Sequence, residues 1–378
     1  MYMLTIKNRA SEYKAVKELE KAGCLQNGLM PLVEIIQENF AYDNLIDPET
    51  GEFVKEDRPI KSGENKGKTR SFKIKDPSTK RNVTLEKIEE HFQSGHIFVD
   101  YFRCDAHKYN ETTFKKCPLV LTLNTNIDAY LEKVRSIASH PTLIPVITIK
   151  NGTDKLSSQQ LFIFAQELKE LCQGRPIAIR IDDIEGYEDT LKSILSRKDY
   201  LIYDINETPA VSKIEEFEEL NDLRIDATKI LLCSPRKRRI RNGEYVDKCT
   251  IDNSHIVSHA SYGFAGVGDY AGLRDSLPGG GSRGKGRALA LLYNGWTNNF
   301  VAYVNEDVNL GPAGYQEVVE RILADRSKLE RTPGECIVLE AVSKEAEGGH
   351  FGGFPTWISY TVERYVQQLY LAHGGYNF

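Results

Sequence analysis

No stretch of this 378-residue chain approaches the roughly 20 consecutive apolar residues that cross a bilayer. The opening MYMLTIKNRASEYK lacks a signal-peptide layout, because only about four apolar residues precede Lys7. The 7 cysteines are irregularly spaced and form no Cys-x-x-Cys, which argues against a disulfide framework and a structural zinc site. There is no His-Glu-x-x-His, no Gly-x-Ser-x-Gly elbow and no internal sequence repeat. These absences set aside the membrane-spanning, disulfide-scaffold, zincin and α/β-hydrolase classes. The expectation is a cytoplasmic protein with reduced thiols and no membrane partner.

The chain does have a globular composition, 40% hydrophobic and 27% charged. Its net charge of −5 argues against a surface that coats nucleic acid uniformly. The charge is uneven, however. Basic residues gather at 61–75, 236–241 and 283–287, and acidic ones at 215–222. Basic patches on an acidic body suit a confined anionic ligand better than tracking along a duplex.

Taken in order, apolar runs alternate with helical periodicity. Strands are predicted at about 2–7, 30–36, 96–102, 143–149, 176–182, 200–205, 229–234 and 264–270. Ser11, Thr84, Asn126 and the Ser157/Gln160 capping box are the expected helix starts, and Gly23 and Gly174 the expected stops. Continuous apolar strands imply a sheet covered on both faces. Eight such units predict a TIM-like (β/α)8 barrel, with an open doubly wound sheet as the alternative. Residues 37–83 are polar and rich in Gly, Pro and Lys, and read as an inserted hairpin lobe within a barrel spanning 1–287. Residues 288–378 read as an α+β extension packed on the barrel. It holds a hairpin across Gly295–Thr297, helices at about 313–329 and 356–372, and a strand at 336–342.

Ligands of such barrels bind at the C-terminal strand ends. Those ends carry Lys7, Glu34, Asp100, Thr148, Lys150, Arg180, Asp182, Asp204, Ser234, Arg236, Asp269 and Tyr270. A buried charge is costly unless it is paired or put to use. The plain explanation is that these residues mark strand exits or form salt bridges. The functional one assigns Glu34, Asp100, Asp204, Asp269 and Tyr270 to catalysis. Asp182, Asp204 and Asp269 would hold magnesium through oxygen ligands. The loops after the seventh and eighth strands are basic, and such loops often bind phosphate. Arg236, Arg238, Arg283 and Lys285 of those loops, with Arg180 at the fifth strand end, are the expected ligand-binding residues. Gly279–Gly286 is one residue short of a P-loop and precedes a strand, so P-loop hydrolysis is not expected. His255 and His259, four apart, lack an evident third zinc ligand. The strand ends are poor in aromatics, which disfavours a carbohydrate-acting barrel.

Several stretches taken together resemble the "beta protein" family, named for a bacteriophage protein, and its bacterial relatives. They are a Tyr-led strand and S-E-Y-K-A-V-K-E-L, then P-L-V-E-I-I (31–36), R-I-D-D (180–183) and G-V-G-D-Y (266–270). The glycine-rich loop, A-L-A-L-L-Y, and G-F-P-T-W-I-S-Y-T-V-E-R-Y (353–365) complete the order. The resemblance implies a barrel-like α/β fold and a role in antiviral defence against phage, with no activity carried over. The chain departs from the pattern in its 37–83 insertion. It also has Glu363, Arg364 and Tyr365 where paired histidines are associated with the C-terminal helix. Two functions are expected from the residues and the resemblance. One is binding or hydrolysis of a phosphate-bearing ligand, a nucleotide or nucleic acid, of the phosphodiesterase or nuclease kind. The other is a non-catalytic scaffold for a phage component or a defence-system partner protein, engaged through the lobe.

Overall fold

The computed structural model describes every residue except 26–27, 61–65, 93–94, 279–285, 332–333 and 377–378. Eight parallel strands close a barrel in chain order: β1 (Tyr2–Lys7), β2 (Leu29–Ile35), β3 (Ile97–Tyr101), β4 (Leu143–Ile149), β5 (Ala178–Ile181), β6 (Tyr200–Asp204), β7 (Thr228–Leu232) and β8 (Gly266–Asp269). All eight apolar runs therefore become barrel strands. Closure, which separates this fold from an open sheet, is the parallel pairing of β1 with β8, Met3 opposite Gly268. Glycine is needed there. A Cβ at Gly268 would stand 2.8 Å from both the Cβ and the carbonyl oxygen of Met3.

The barrel interior is filled by alternate residues of its strands. Met3, Leu32, Phe98, Ile144, Val146, Ala178, Ile202, Ile230 and Leu232 form one buried cluster. Successive strand side chains point to opposite faces, so residues two further along each strand also face inward. This parity decides the site.

Helices α1 (Ala10–Lys21), α2 (Ile127–Ile137), α3 (Ser158–Leu171), α4 (Glu188–Ile194) and α5 (Ile214–Asp222) cover the outside. Asn126 accepts the Ala129 amide, and Ser157 with Gln160 forms the expected capping box. Ser11 is not a cap, because α1 starts one residue before it and Arg9 supplies no side-chain cap. Instead Glu12, in the first turn, accepts the Lys7 amide at 2.6 Å. Thr84 starts its helix (Thr84–His91) with its own amide held by Asn82 Oδ1 at 3.0 Å.

After the barrel, β9 (Leu289–Asn294) and β10 (Asn299–Val304) form an antiparallel hairpin, which Thr250–Asp252 extends by pairing with β10. Helices α6 (Tyr315–Ala324), α7 (Ile337–Glu347) and α8 (Phe354–His373) come next. The strand expected at 336–342 is α7. Its apolar run is too short to reveal a period by itself, and buried Val338, Leu339 and Val342 follow helical spacing into Ser-Lys-Glu-Ala-Glu, which continues the helix. These residues join Ala290, Leu292, Val318, Ile322 and Trp357 in a second core. Truncating Leu339 to Ala in that core costs about 2–5 kcal/mol. α8 packs against α1 and β9. Arg364 of α8 is fully buried and donates to the Tyr293 and Leu329 carbonyls.

The chain divides into two compact units, 1–37 with 91–378, and 38–90. Within the second, Lys55–Pro59 pairs antiparallel with Thr69–Lys73, and Phe40–Ala41 with Arg81–Asn82. Both strands of the longer hairpin are exposed throughout, and Lys73 covers the Phe53 ring at 3.6 Å. Among the described residues no helix is long and apolar enough to cross a membrane.

Candidate functional site

Parity carries the inner face of the barrel from apolar residues to charged ones at the C-terminal strand ends. Lys7, Glu34, Asp100, Thr148, Arg180 and Asp204 all point inward, in line with the apolar cluster below, and they meet. Arg180 is the hub. Its Nη1 donates to Glu34 Oε1 at 2.7 Å and Asp100 Oδ2 at 2.9 Å. Its Nε and Nη2 reach Asp204 Oδ2 at 2.9 and 2.7 Å, and Nη2 also donates to the Tyr270 hydroxyl at 2.9 Å. Tyr270 in turn donates to Glu34 at 2.8 Å. Lys150 pairs with Asp204 at 2.7 Å, and Lys7 bridges Glu34 to Asp275. Lys7 also lies 4.6 Å from the centre of the Tyr270 ring. Charge-assisted bonds of this kind are the strong ones, and Arg with its planar fork suits several carboxylates at once.

The ring is sealed. Glu34, Asp100 and Arg180 are 0% exposed and Asp204 2%. Three cations face four carboxylates, so one carboxylate is in excess. Asp100 reflects that. Burial raises its carboxyl to about 6, with Arg180 acting against the rise and Glu34 adding to it. Its Oδ1 has no hydrogen-bond partner among the described residues. Burial also works to raise Asp204, but Lys150 and Arg180 outweigh it and hold that carboxyl below its ordinary value. Asp275 is likewise held well down, its burial outweighed by Lys7, Lys150 and Arg180.

Not every expected site residue joins the ring. Asp269 points to the outer face of the wall. There it accepts from the Tyr2 hydroxyl at 2.8 Å, the Tyr365 hydroxyl at 2.5 Å and the Ala271 amide at 2.7 Å, with His255 Nε2 at 2.9 Å. Asp182 holds the Asn151 amide at 3.0 Å instead of facing Asp204 as a co-ligand. Asp182, Asp204 and Asp269 thus stand in three separate settings. Among the described residues no group of three or more His, Cys, Asp or Glu side chains is arranged to hold a metal ion. His259 Nδ1 lies 2.8 Å from the Ile256 carbonyl, so the two histidines do not converge on one centre.

Above the ring lies a cavity of about 480 Å³, whose lining includes Lys150 and Asp275 from the network. The segment after β7 supplies Ser234, Lys237, Arg238 and Arg239, and the segments after β3 and β4 supply Arg103, Lys108 and Asn151. The carboxylates here are all committed. Asp105 holds the His107 amide, Asp182 the Asn151 amide, Glu207 the Arg238 amide and Asp275 the Lys7 ammonium. Arg103 and Arg238 donate to backbone carbonyls and lie over the Tyr130 and Tyr109 rings. Lys108, Lys237 and Arg239 are exposed, with no side-chain partner among the described residues.

Arg236 does not share this cavity with Arg238. It turns into a second cavity of about 250 Å³, with Arg9 and Arg274. Arg180 is 0% exposed, with its guanidinium bonded to Glu34, Asp100, Asp204 and Tyr270, and lines neither cavity. Arg283 and Lys285 lie outside the described residues. Sequence reasoning marked the basic segment 236–241 without singling out Lys237 and Arg239, and it missed Asp275, Lys108, Arg9 and Arg274 altogether. None closes a strand, and nothing in the local pattern sets them apart from ordinary surface charge. In the C-terminal helix Glu363 accepts from Ser359 and is raised by burial to about 7, while Tyr365 donates to Asp269. Comparison of the chain with protein-family models, with curated proteins and with solved structures finds no match.

Proposed function

We propose that the barrel mouth binds a small phosphate-bearing ligand of the nucleotide class, and that the sealed ring is its rigid floor. The observation that carries this reading is the imbalance of partners at the cavity. Its four carboxylates are each held by a fixed donor, while Lys108, Lys237 and Arg239 have none among the described residues. Cations left over at a concave site favour an anion, and a volume of about 480 Å³ falls within the range of small-ligand pockets. The site also lies at the C-terminal face, beside the segment after β7, where barrels place phosphate. Glu34 and Asp204 are taken up by Arg180, Lys7 and Lys150, so binding without turnover is the expectation.

The test is calorimetric titration with ATP, ADP and AMP at two salt concentrations. The double substitution Lys237→Glu with Arg239→Glu should weaken the bound nucleotide at least about tenfold, as loss of charge-assisted bonds would. No binding of any nucleotide, or equal binding by the double variant, ends the proposal.

A hydrolytic version is favoured by one feature, the Asp100 carboxyl raised to about 6, whose Oδ1 has no hydrogen-bond partner among the described residues. It requires the ring to open towards the ligand. Phosphate release with magnesium that disappears in Asp100→Asn, with binding retained, would establish it. The resemblance to the beta protein family adds a setting, phage defence. Loss of plaque protection in the Lys237/Arg239 variant would join the two, whereas loss only on excising 43–80 would favour a partner-binding scaffold.

A further inference from the structure

The second cavity differs from the mouth in kind. It lies among the α1 entry, the segments after β7 and β8, and the C-terminal hairpin and helices. One side presents the guanidiniums of Arg9, Arg236 and Arg274. The other is the apolar wall of Tyr315, Phe354 and Trp357. Tyr315 and Trp357 stack at 5.4 Å with ring planes 9° apart, and Phe354 meets Tyr315 edge-on at 5.7 Å. Among the described residues no Asp or Glu lines the cavity.

The partners of the three arginines are nearly all neutral. Arg236, 8% exposed, donates to Tyr245 Oη at 3.1 Å and Asn242 Oδ1 at 3.2 Å. Arg274 donates to the Ile240 carbonyl at 2.9 Å. Arg9 donates to the Ser276 carbonyl, and its one carboxylate contact, Glu12, is long at 3.5 Å. That contact is made by Arg9 Nε, which is buried, faces Glu12 Oε1 and reaches hydrogen-bond geometry with no described residue. Burial depresses Arg274, and the neighbouring Arg236 and Arg9 depress it further against the opposing effects of Tyr245 and Glu244, so Arg274 feels the charge of both other arginines. Arginine does not escape such a position by losing its proton. Like charges crowded into a low-dielectric site favour a counter-anion.

We propose that this cavity is a second binding site, for an organic anion that carries a carboxylate or phosphate on an aromatic body. The anionic group lies among Arg9, Arg236 and Arg274, whose forks match either oxyanion. The aromatic body packs against the half-buried Phe354 ring, beside the Tyr315–Trp357 stack that backs the wall. A free inorganic anion would leave that wall unused, and a neutral aromatic would leave the guanidiniums unpaired.

The chain has 2 tryptophans, and Trp357 forms part of the wall, so it reports on occupancy in a Trp296→Phe background. Its fluorescence is titrated with 4-nitrobenzoate, 4-nitrophenyl phosphate and the neutral 4-nitrobenzyl alcohol, whose nitroaromatic rings quench on contact. Saturable quenching by at least one of the two anions is expected, with the alcohol at least about tenfold weaker, the worth of one or two charge-assisted bonds. The tighter of the two anions identifies the source as carboxylate or phosphate. Arg274→Met should weaken that anion at least about tenfold, with Arg274→Lys intermediate. Arg274 also holds a backbone carbonyl, so Arg9→Met, at a partly exposed residue, decides the matter if Arg274→Met does not fold. The proposal is overturned if neither anion quenches saturably, if the alcohol binds as tightly as the anions, or if Arg9→Met leaves the affinity unchanged.

Discussion

Asp269 and Tyr270 are neighbours in the chain and point to opposite sides of the barrel wall. The Tyr270 hydroxyl lies inside, between Arg180 and Glu34. The Asp269 carboxylate lies outside, between Tyr2 and Tyr365. One residue of strand therefore separates a member of the sealed ring from a cluster that ties the C-terminal helix to the barrel.

The hub of the ring should be the most sensitive position in it. Arg180→Met removes the common partner of Glu34, Asp100 and Asp204 and leaves buried carboxylates undercompensated. Breaking a buried ion pair from one side costs about 3–5 kcal/mol. Urea denaturation should show a lower midpoint for this variant; a midpoint equal to that of the unmodified protein would mean that the ring does not stabilise the fold.

Asp100 should give stability a pH signature. Its carboxyl is raised by burial from 3.8 to about 6 in the folded protein. Between these values the folded chain holds a proton that the unfolded chain has released. Its favourable contribution is therefore present at acid pH and is lost as pH rises through 6. Asp204 and Asp275, held down in the folded state, act in the opposite sense, losing their contribution as pH falls. They are present in both proteins, so the difference between the two curves follows the charge at Asp100 together with its coupling to them through Arg180 and Lys150. Relative to Asp100→Asn, the unmodified protein should lose up to on the order of 3 kcal/mol between pH 4 and pH 7. Paired denaturation curves measure this; parallel curves across that window would refute it.

Asp269→Asn should be a defect of packing, not of ligand binding. The amide offers N–H groups where the carboxylate accepts from two tyrosine hydroxyls, so buried donors lose acceptors at about 1–3 kcal/mol. Thermal melting should fall while nucleotide affinity at the mouth stays unchanged. A selective loss of affinity at unchanged stability would return Asp269 to the binding site.

Gly268→Ala should loosen the seam where the barrel closes. The added methyl would meet the Met3 carbonyl oxygen at 2.8 Å, and backbone cannot step aside as a side chain can. Overpacking of this sort costs about 1–3 kcal/mol. A lower melting temperature is expected, and an unchanged one would show that β1 and β8 can move apart without cost.

Much of the fold was legible along the chain. Each barrel strand is a continuous apolar run because both of its faces are covered, and that property is local. The caps at Asn126 and Ser157 were readable for the same reason, since a cap bonds amides two or three residues away. The run at 336–342 misled because a short apolar segment carries no clear period, and its helical identity depends on the polar residues 343–347 that extend it. Ser11 misled because the helix begins at Ala10, which places Ser11 inside the first turn with Arg9 at the cap position.

The candidate site divides along the same line. That Lys7, Glu34, Asp100, Arg180 and Asp204 close their strands is readable locally, because apolar runs end where charge begins. Which way each one points comes from a period of two, and applied to 269–270 that period separates the pair. Their partners could not be read locally, since Glu34 and Arg180 are 146 residues apart and meet only because the barrel closes. Closure likewise divided Arg236 from Arg238, sending one to an aromatic-walled cavity and the other to the mouth. The eight strands and the charges at their ends are properties of the linear chain, because burial and periodicity act between near neighbours. Which charges neutralise one another, and which cations are left for a ligand, is set by the closed barrel alone, because Coulomb and hydrogen-bond energies depend on distances across it.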